Sequence, residues 1–217
     1  MKLHGVIFSP FVQPVLMAAR IKGIELELTP LPAGGTQSAE FAAISPMRRM
    51  PVLEESDGWT MAESASIVAY LEETQPGPSL LPVDARDAAK ARLIAGLVDT
   101  EIAAGLRHFI VQKLFRMQDE PALLDHGRAQ LRRGLAAIEQ IGVNGGRWAV
   151  GDQPSVADIA LVPLLSLGDL ITGHSDSGEL ISGLPGIDAY WARARADPLG
   201  NRSYVEMRDG FLASRKR

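Results

Sequence analysis

Ser45-Pro46-Met47-Arg48-Arg49-Met50-Pro51-Val52-Leu53, followed ten residues on by Glu63-Ser64-Ala65-Ser66-Ile67, is the stretch from which the rest of the chain is read. Val52-Leu53 is a short apolar run that ends in acids and then Asp57-Gly58, the pattern of a strand entering a hairpin turn. A proline at the head of a strand has no N–H to give the ladder. Pro51 therefore belongs at an edge, at a first position or in a special geometry such as a cis peptide. That last geometry leaves the backbone groups of Met50 free, and free N–H and C=O groups beside a pocket pair with an extended peptide as another strand would. After Glu63-Ser64 the spacing of Ala65, Ile67, Val68, Ala69 and Leu71 predicts a helix. Its first N–H groups attract a carboxylate, and the acid of Glu63 can hold an ammonium. Together they describe the α-amino acid end of a peptide ligand. The same residues also read as a plain strand, turn and helix with a capping acid, and spacing alone does not choose between the two.

Pro51-Val52-Leu53 followed by Glu63-Ser64 resembles the glutathione-binding half of the cytosolic glutathione transferases. The family pattern is roughly an Asn-Pro-x-Gly-Lys-Val-Pro-x-Leu turn, a hairpin, then Glu-Ser. Ser45 stands where Asn is common and Arg48 where Gly is common. Arg48 leads us to expect a turn that does without a positive φ. The resemblance implies a cis Pro51, Met50 pairing its backbone with the cysteinyl part of glutathione, and Glu63 and Ser64 taking the γ-glutamyl end. It places Arg49 or Gln37 near the glycine carboxylate.

The chain has 217 residues, 46% hydrophobic and 22% charged, so a packed core is expected and disorder is not. A net charge of −4 without a basic stripe argues against nucleic acid as a partner. With no cysteine, disulfides, thiolate metal sites and a cysteine nucleophile are excluded. The four histidines, His4, His108, His126 and His174, have no metal-ligand spacing, and no metal is expected. We find no phosphate loop, dinucleotide fingerprint or nucleophile elbow. The N-terminal run lacks the features of a signal peptide, and no stretch reads as the roughly 18 apolar residues of a membrane span, so a cytoplasmic location is the expectation.

Leu3 to Phe8 predicts a buried strand, and Val15 to Ile21 a helix that starts near Gln13 or Pro14 and stops at Gly23. Ile24 to Leu28 alternates as a strand should. Ala39 to Ile44 offers at most two helical turns. With the hairpin and the Glu63–Thr74 helix, this β-α-β then β-β-α order resembles a thioredoxin fold: a four-stranded mixed sheet over residues 1–77. The prolines and glycine of residues 75–82 mark a linker, placed at 78–85. From there the period is helical, predicting an all-helical domain over 86–217. Its helices are a long one from Asp87 to about Met117, one from Pro121 to Ile141, a buried one behind Ser155-Val156-Ala157-Asp158, and one from Leu184 that Pro198 stops. The Ser155 and Asp158 pair reads as a capping box, and this run too resembles the family, where its role is folding.

Glutathione chemistry needs a thiolate at neutral pH, and a free thiol has a pKa of about 8.5. A hydroxyl donating to the sulfur, close to a helix N-terminus, lowers it. Ser9 stands between the first strand and first helix, and Ser9-Pro10-Phe11 resembles the Cys-Pro-Phe of the family's cysteine classes, which makes Ser9 the candidate catalytic residue. It also reads as a turn or N-cap serine. Family members of this type commonly carry Arg-Lys where this chain has Gln13-Pro14. The apolar electrophile is expected between Phe11 and the long helix, near His108, Gln112 and Phe115, which share a helical spacing that core packing also explains. The resemblance implies a glutathione transferase and a homodimer, with glutathione as co-substrate. A non-catalytic interaction or stress protein, and a glutathione-dependent isomerase or lyase, are the alternatives.

Overall fold

The structure is a computed structural model that describes residues 1–114, 120–143, 146–175 and 177–215. The chain divides into two compact units. Met1–Leu80 and the stretch from Val205 onward form one, and Leu81–Tyr204 forms the other. The division falls between Leu80 and Leu81 and again between Tyr204 and Val205. Its surprise is the return of the last residues, which were assigned to the helical domain, to the first unit.

In the first unit four short strands, β1 Lys2–His4, β2 Glu27–Thr29, β3 Val52–Glu54 and β4 Thr60–Ala62, lie in the order β2-β1-β3-β4. β1 runs parallel to β2 and antiparallel to β3, and β3 pairs antiparallel with β4, so the sheet is mixed as the sequence predicts. Leu3 faces Leu28 on one side and Leu53 on the other. Leu3 and Leu53 are wholly buried together with Val15 and Met17 of α1 (Val12–Lys22) and Ile67 and Leu71 of α3 (Ser64–Thr74). A six-residue α2, Ala39–Ile44, is capped by Ser38, whose hydroxyl accepts from the Phe41 N–H at 3.0 Å.

Both predicted strands are shorter than their sequence patterns. The chain leaves β1 at Gly5, where a Cβ would lie 2.5 Å from the Val12 side chain, so residues 6–8 become loop despite their β-branched and aromatic character. At the other end Gly23 is left-handed (φ 69°) and Ile24 N–H returns to Ala19 C=O at 3.0 Å, which keeps Ile24 in the helix cap and delays β2 to Glu27. The first helix starts at Val12, so Pro14 falls in the first turn, where N–H groups have no partner inside the helix and proline costs little.

A buried ion pair ties α1 to α3 and the chain beyond it. Lys22, 2% exposed at its side chain, donates to Glu72 at 2.9 Å, and Glu72 also accepts from Ser79 Oγ at 2.6 Å and Leu80 N–H at 3.0 Å. Burial pushes the Glu72 carboxyl up, but these donors outweigh it and hold it below its ordinary value.

The second unit is helical. α4, Ala85–Leu97, is capped by Asp84 and continues through a π-helical segment (Val98–Ala103), α5 (Ala104–Phe109) and a second π segment (Ile110–Leu114). The predicted long helix is thus one helical path with two wide turns, and its last predicted turn lies outside the described residues. α6 is Pro121–Ile141, as predicted, with Gly142 at φ 92° ending it. α5 and α6 approach so closely that a Cβ on Gly105 would lie 2.6 Å from the Gly127 carbonyl.

α7, Val156–His174, is the buried core helix. Asp158 accepts from Ala149 N–H at 2.8 Å, Ser155 N–H at 2.9 Å and Tyr190 Oη of α8 (Pro185–Ala196) at 2.8 Å. Burial raises the Asp158 carboxyl above its ordinary value in spite of these donors. Contrary to the expectation that no stretch qualifies, α7 is long and apolar enough by length and composition to cross a membrane, with 72% of that window buried inside the structure. Pro198 ends α8, as predicted, and also opens α9, Pro198–Ser214, which the sequence reading misses altogether.

Candidate active site

The ladders of the first unit bring three separate pieces of chain to one end of the sheet. Val52 is paired with His4 on one side and Ala62 on the other. Just beyond that row come Gly5 and the loop to Ser9, then Pro51 with Met50, then Glu63 with Ser64. The Met50–Pro51 bond is cis. Gly5 stands against Met50, a Cβ there lying 3.7 Å from the Met50 Cβ.

Ser9 is 7% exposed. Its Oγ accepts from the backbone N–H groups of Phe11 at 3.3 Å and Val12 at 3.4 Å; both bonds use the oxygen lone pairs, so the hydroxyl hydrogen is uncommitted. Ser9 is therefore both a turn residue and a buried donor with nothing among the described residues to donate to. Its carbonyl accepts from Val12 N–H and Gln13 N–H, each at 3.1 Å, and so starts α1.

The turn before Pro51 is held by Ser45. Fully buried, its hydroxyl donates to Arg49 C=O at 2.8 Å and accepts from Arg49 N–H at 3.0 Å, while its carbonyl takes Arg48 N–H at 2.8 Å. This closure puts Arg48 at φ 52°, so the expectation of a turn without positive φ is corrected. An arginine there costs about 1–2 kcal/mol over glycine, and its guanidinium donates to Gln37 C=O at 2.9 Å, tying the turn to the Gly35–Gln37 loop. The neighbouring Arg49 side chain is exposed and unpaired among the described residues, as is the exposed Glu63 carboxylate. Glu63 stands at φ 70°, ψ 115° before α3 and makes no side-chain cap, so the capping-acid reading is set aside. Ser64 opens the helix with its hydroxyl also unengaged among the described residues. Gln37 is exposed, its amide reaching only Thr36 Oγ1 at 3.5 Å.

A second charged group lies on β1 and β3 of the sheet itself. His4 donates to Glu54 at 2.6 Å and Lys2 lies 3.6 Å from the same carboxylate. The His4 bond, followed by the Lys2 charge, holds the Glu54 carboxyl below its ordinary value.

Sequence models of the glutathione S-transferase N-terminal domain and C-terminal domain match residues 3–79 and 121–193. Maleylacetoacetate isomerase from Pseudomonas aeruginosa is 34% identical over 172 residues, 76% of this chain and 80% of that protein. The chain belongs to the cytosolic glutathione transferase family. A glutathione S-transferase from Pseudomonas putida is 29% identical over 188 residues, 85% of this chain and 82% of its own. The crystal structure of maleylacetoacetate isomerase from Methylobacterium extorquens AM1 with bound malonate and glutathione superposes with a TM-score of 0.78 at 27% identity, covering 96% of this chain and 97% of that one. As a member of the glutathione transferase family this chain is a glutathione-dependent enzyme.

The residues predicted for the electrophile fall in different units and are described unit by unit. Phe11, half-buried, is the N-cap of α1 in the first unit. His108 and Gln112 belong to the second unit. The His108 ring meets His126 edge-on at 6.1 Å and lies against Gly127, so helix packing accounts for its place. Gln112 is 5% exposed and its Oε1 accepts from Glu120 N–H, just ahead of α6, at 2.7 Å. Phe115 lies outside the described residues. Among the described residues no three His, Asp or Glu side chains come together as metal ligands do. What sequence reading missed is the support behind the loop: Ser45, which it noted only as a departure from Asn, and Gln13, which it noted only as a departure from Arg.

Proposed function

We propose that the first unit binds glutathione as an added strand beside Met50 and that the enzyme joins its thiolate, held by Ser9, to an apolar electrophile. The supporting observation is the set of uncommitted groups at one end of the sheet: the Ser9 hydroxyl hydrogen, the Glu63 carboxylate, the Ser64 hydroxyl and the Arg49 guanidinium. A tripeptide laid along that end has a sulfur for the first, an α-ammonium and α-carboxylate for Glu63, Ser64 and the α3 N-terminus, and a glycine carboxylate for Arg49, with Gln37 as a weaker contributor. Lowering the thiol pKa by about two units is worth about 2.7 kcal/mol, supplied by the Ser9 donor and the α1 N-terminus.

The thiol proton leaves to solvent and the sulfur lone pair forms a C–S bond. With a displaceable substituent, that group departs with its bonding electrons. With a conjugated alkene, the π electrons pass to the carbonyl oxygen as an enolate. Protonation of the enolate gives a stable conjugate. Rotation about the new single bond and expulsion of the thiolate instead give the isomerised alkene with glutathione regenerated. The likeness to maleylacetoacetate isomerases favours this second outcome as the alternative. Phe11 provides an apolar wall on the electrophile side. The enzyme works as a homodimer in the cytoplasm, the assembly and location that the family resemblance implies.

Titration calorimetry should detect glutathione binding at millimolar concentration, and absence of heat there ends the proposal. Ser9→Ala should raise the pKa of bound glutathione, followed by thiolate absorbance, by about one to two units. An unchanged titration removes Ser9 from the mechanism. Mass analysis of the product decides between outcomes: glutathione retained means transferase, glutathione recovered means isomerase.

A further inference from the structure

We infer that Glu206, on the C-terminal helix α9, is a positioning residue for the Ser9 hydroxyl, acting through Gln13 and the Ile7 carbonyl; this rests on the reading of Ser9 given above. The loop from Gly5 to Phe11 must hold the hydroxyl at a fixed place; its far end is secured by the Ser9 bonds already described and its near end by Gly5 N–H, which donates to Thr29 C=O at 3.0 Å. Its middle is secured differently. Gln13 is wholly buried, and its Nε2 donates to Ile7 C=O at 2.8 Å and to the Glu206 carboxylate at 3.1 Å. Two acceptors for one amide nitrogen fix which end of the amide faces them. The Gln13 oxygen is buried without a donor among the described residues, an arrangement that costs free energy. The side chain is thus placed for its nitrogen. Glu206 is itself held by Arg20 Nη2 at 2.6 Å.

One turn further along α9, Gly210 backs the same loop. A Cβ there would lie 2.6 Å from Ile7 Cγ2 and 3.2 Å from Phe8 Cβ. Residues four apart share a helix face, so one face of α9 meets residues 7 and 8 directly through Gly210 and residue 7 again through Glu206 and Gln13. All of these residues belong to the first unit, which explains why the chain from Val205 onward belongs to it as well. Loss of the Glu206 acceptor frees the Gln13 amide, loosens the Ile7 carbonyl and lets Ser9, two residues on, drift from the sulfur. The groups assigned to the two ends of glutathione, Glu63, Ser64 and Arg49, are on other segments and are untouched.

The test follows thiolate absorbance of bound glutathione and steady-state rates for wild type, Glu206→Leu, Glu206→Gln and Ser9→Ala, with the melting temperature of each. Glu206→Leu should raise the bound-thiol pKa by about one unit and lower kcat about tenfold below that pKa, with the KM for glutathione within about twofold because only transition-state and thiolate contacts are lost. Glu206→Gln keeps an oxygen for Gln13 and should recover most of the loss. In the Ser9→Ala background Glu206→Leu should add no further shift, since the hydroxyl it positions is gone. If Ser9→Ala shifts the titration and Glu206→Leu does not, Glu206 is a structural residue only and the inference falls alone. If Ser9→Ala does not shift it, the reading of Ser9 falls and takes the inference with it. Should Glu206→Leu fail to fold, Gly210→Ala, which changes no charge and presses on Ile7, carries the same expectation and the same refutation.

Discussion

At the scale of single residues, the site depends on side chains whose neighbours decide what they can do. Ser9 looks like an ordinary turn serine in sequence and is one in structure, but it only accepts in its two side-chain bonds, so a buried hydrogen is free among the described residues. Glu54 shows the opposite case, a carboxylate fully engaged. Its lowered pKa makes a definite statement about acid stability. A group depressed in the folded state contributes fully above its unfolded pKa of about 4.3 and loses that contribution as pH falls through the folded value. Glu54→Gln should therefore lower the melting temperature near neutral pH and do so much less near about pH 3; calorimetric scans that show the same deficit at both would mean that Glu54 is not stabilising through its charge. Ser9, Met50, Pro51, Glu63 and Ser64 could be nominated from the sequence because turn, strand and helix-start patterns are local. Gln13 and Ser45 could not, because their roles consist of bonds to Glu206 and Arg49 that only the folded chain defines.

At the scale of elements, legibility followed how far the deciding contact lay along the chain. The capping box at Ser155 and Asp158 and the stop at Gly23 were readable because each involves neighbours within a few residues. The ends of β1 and β2 were not. The Leu3–Phe8 pattern is a good strand until Gly5 meets Val12, and nothing in that pattern records the meeting. α9 was missed for a similar reason: Pro198 is both the end of one helix and the first residue of the next. Helix packing in the second unit gives a test with opposite signs. Gly96 is exposed on α4 with nothing within 4 Å of its would-be Cβ, so Gly96→Ala should stabilise by about 0.5–1 kcal/mol through helix propensity. Gly105 sits on the α5–α6 contact with backbone at 2.6 Å and 2.8 Å, so Gly105→Ala should destabilise by about 1–3 kcal/mol. Denaturant titrations giving the same sign for both would show that the α5–α6 approach is looser than described.

For the whole molecule, the thioredoxin-like order and the helical second part were legible because strand patterns alternate with helical ones up to about residue 74 and only the helical period continues beyond. The return of the last residues to the first unit was not, since it depends on Arg20, Gln13 and Gly210 meeting partners far away in sequence. The contacts of Gln112 and His108 were equally illegible, since helical spacing does not record that Gln112 meets Glu120 or that His108 meets His126 and Gly127. The proposed mode of action is that an extended tripeptide pairs with the chain at Met50 and presents its sulfur to Ser9. A crystal structure of the enzyme with glutathione tests it most directly. The account predicts the cysteinyl backbone hydrogen-bonded to Met50, the γ-glutamyl end at Glu63 and Ser64, and the sulfur within about 3.5 Å of Ser9 Oγ. Glutathione bound there with its sulfur turned away from Ser9, or bound elsewhere on the molecule, would contradict it.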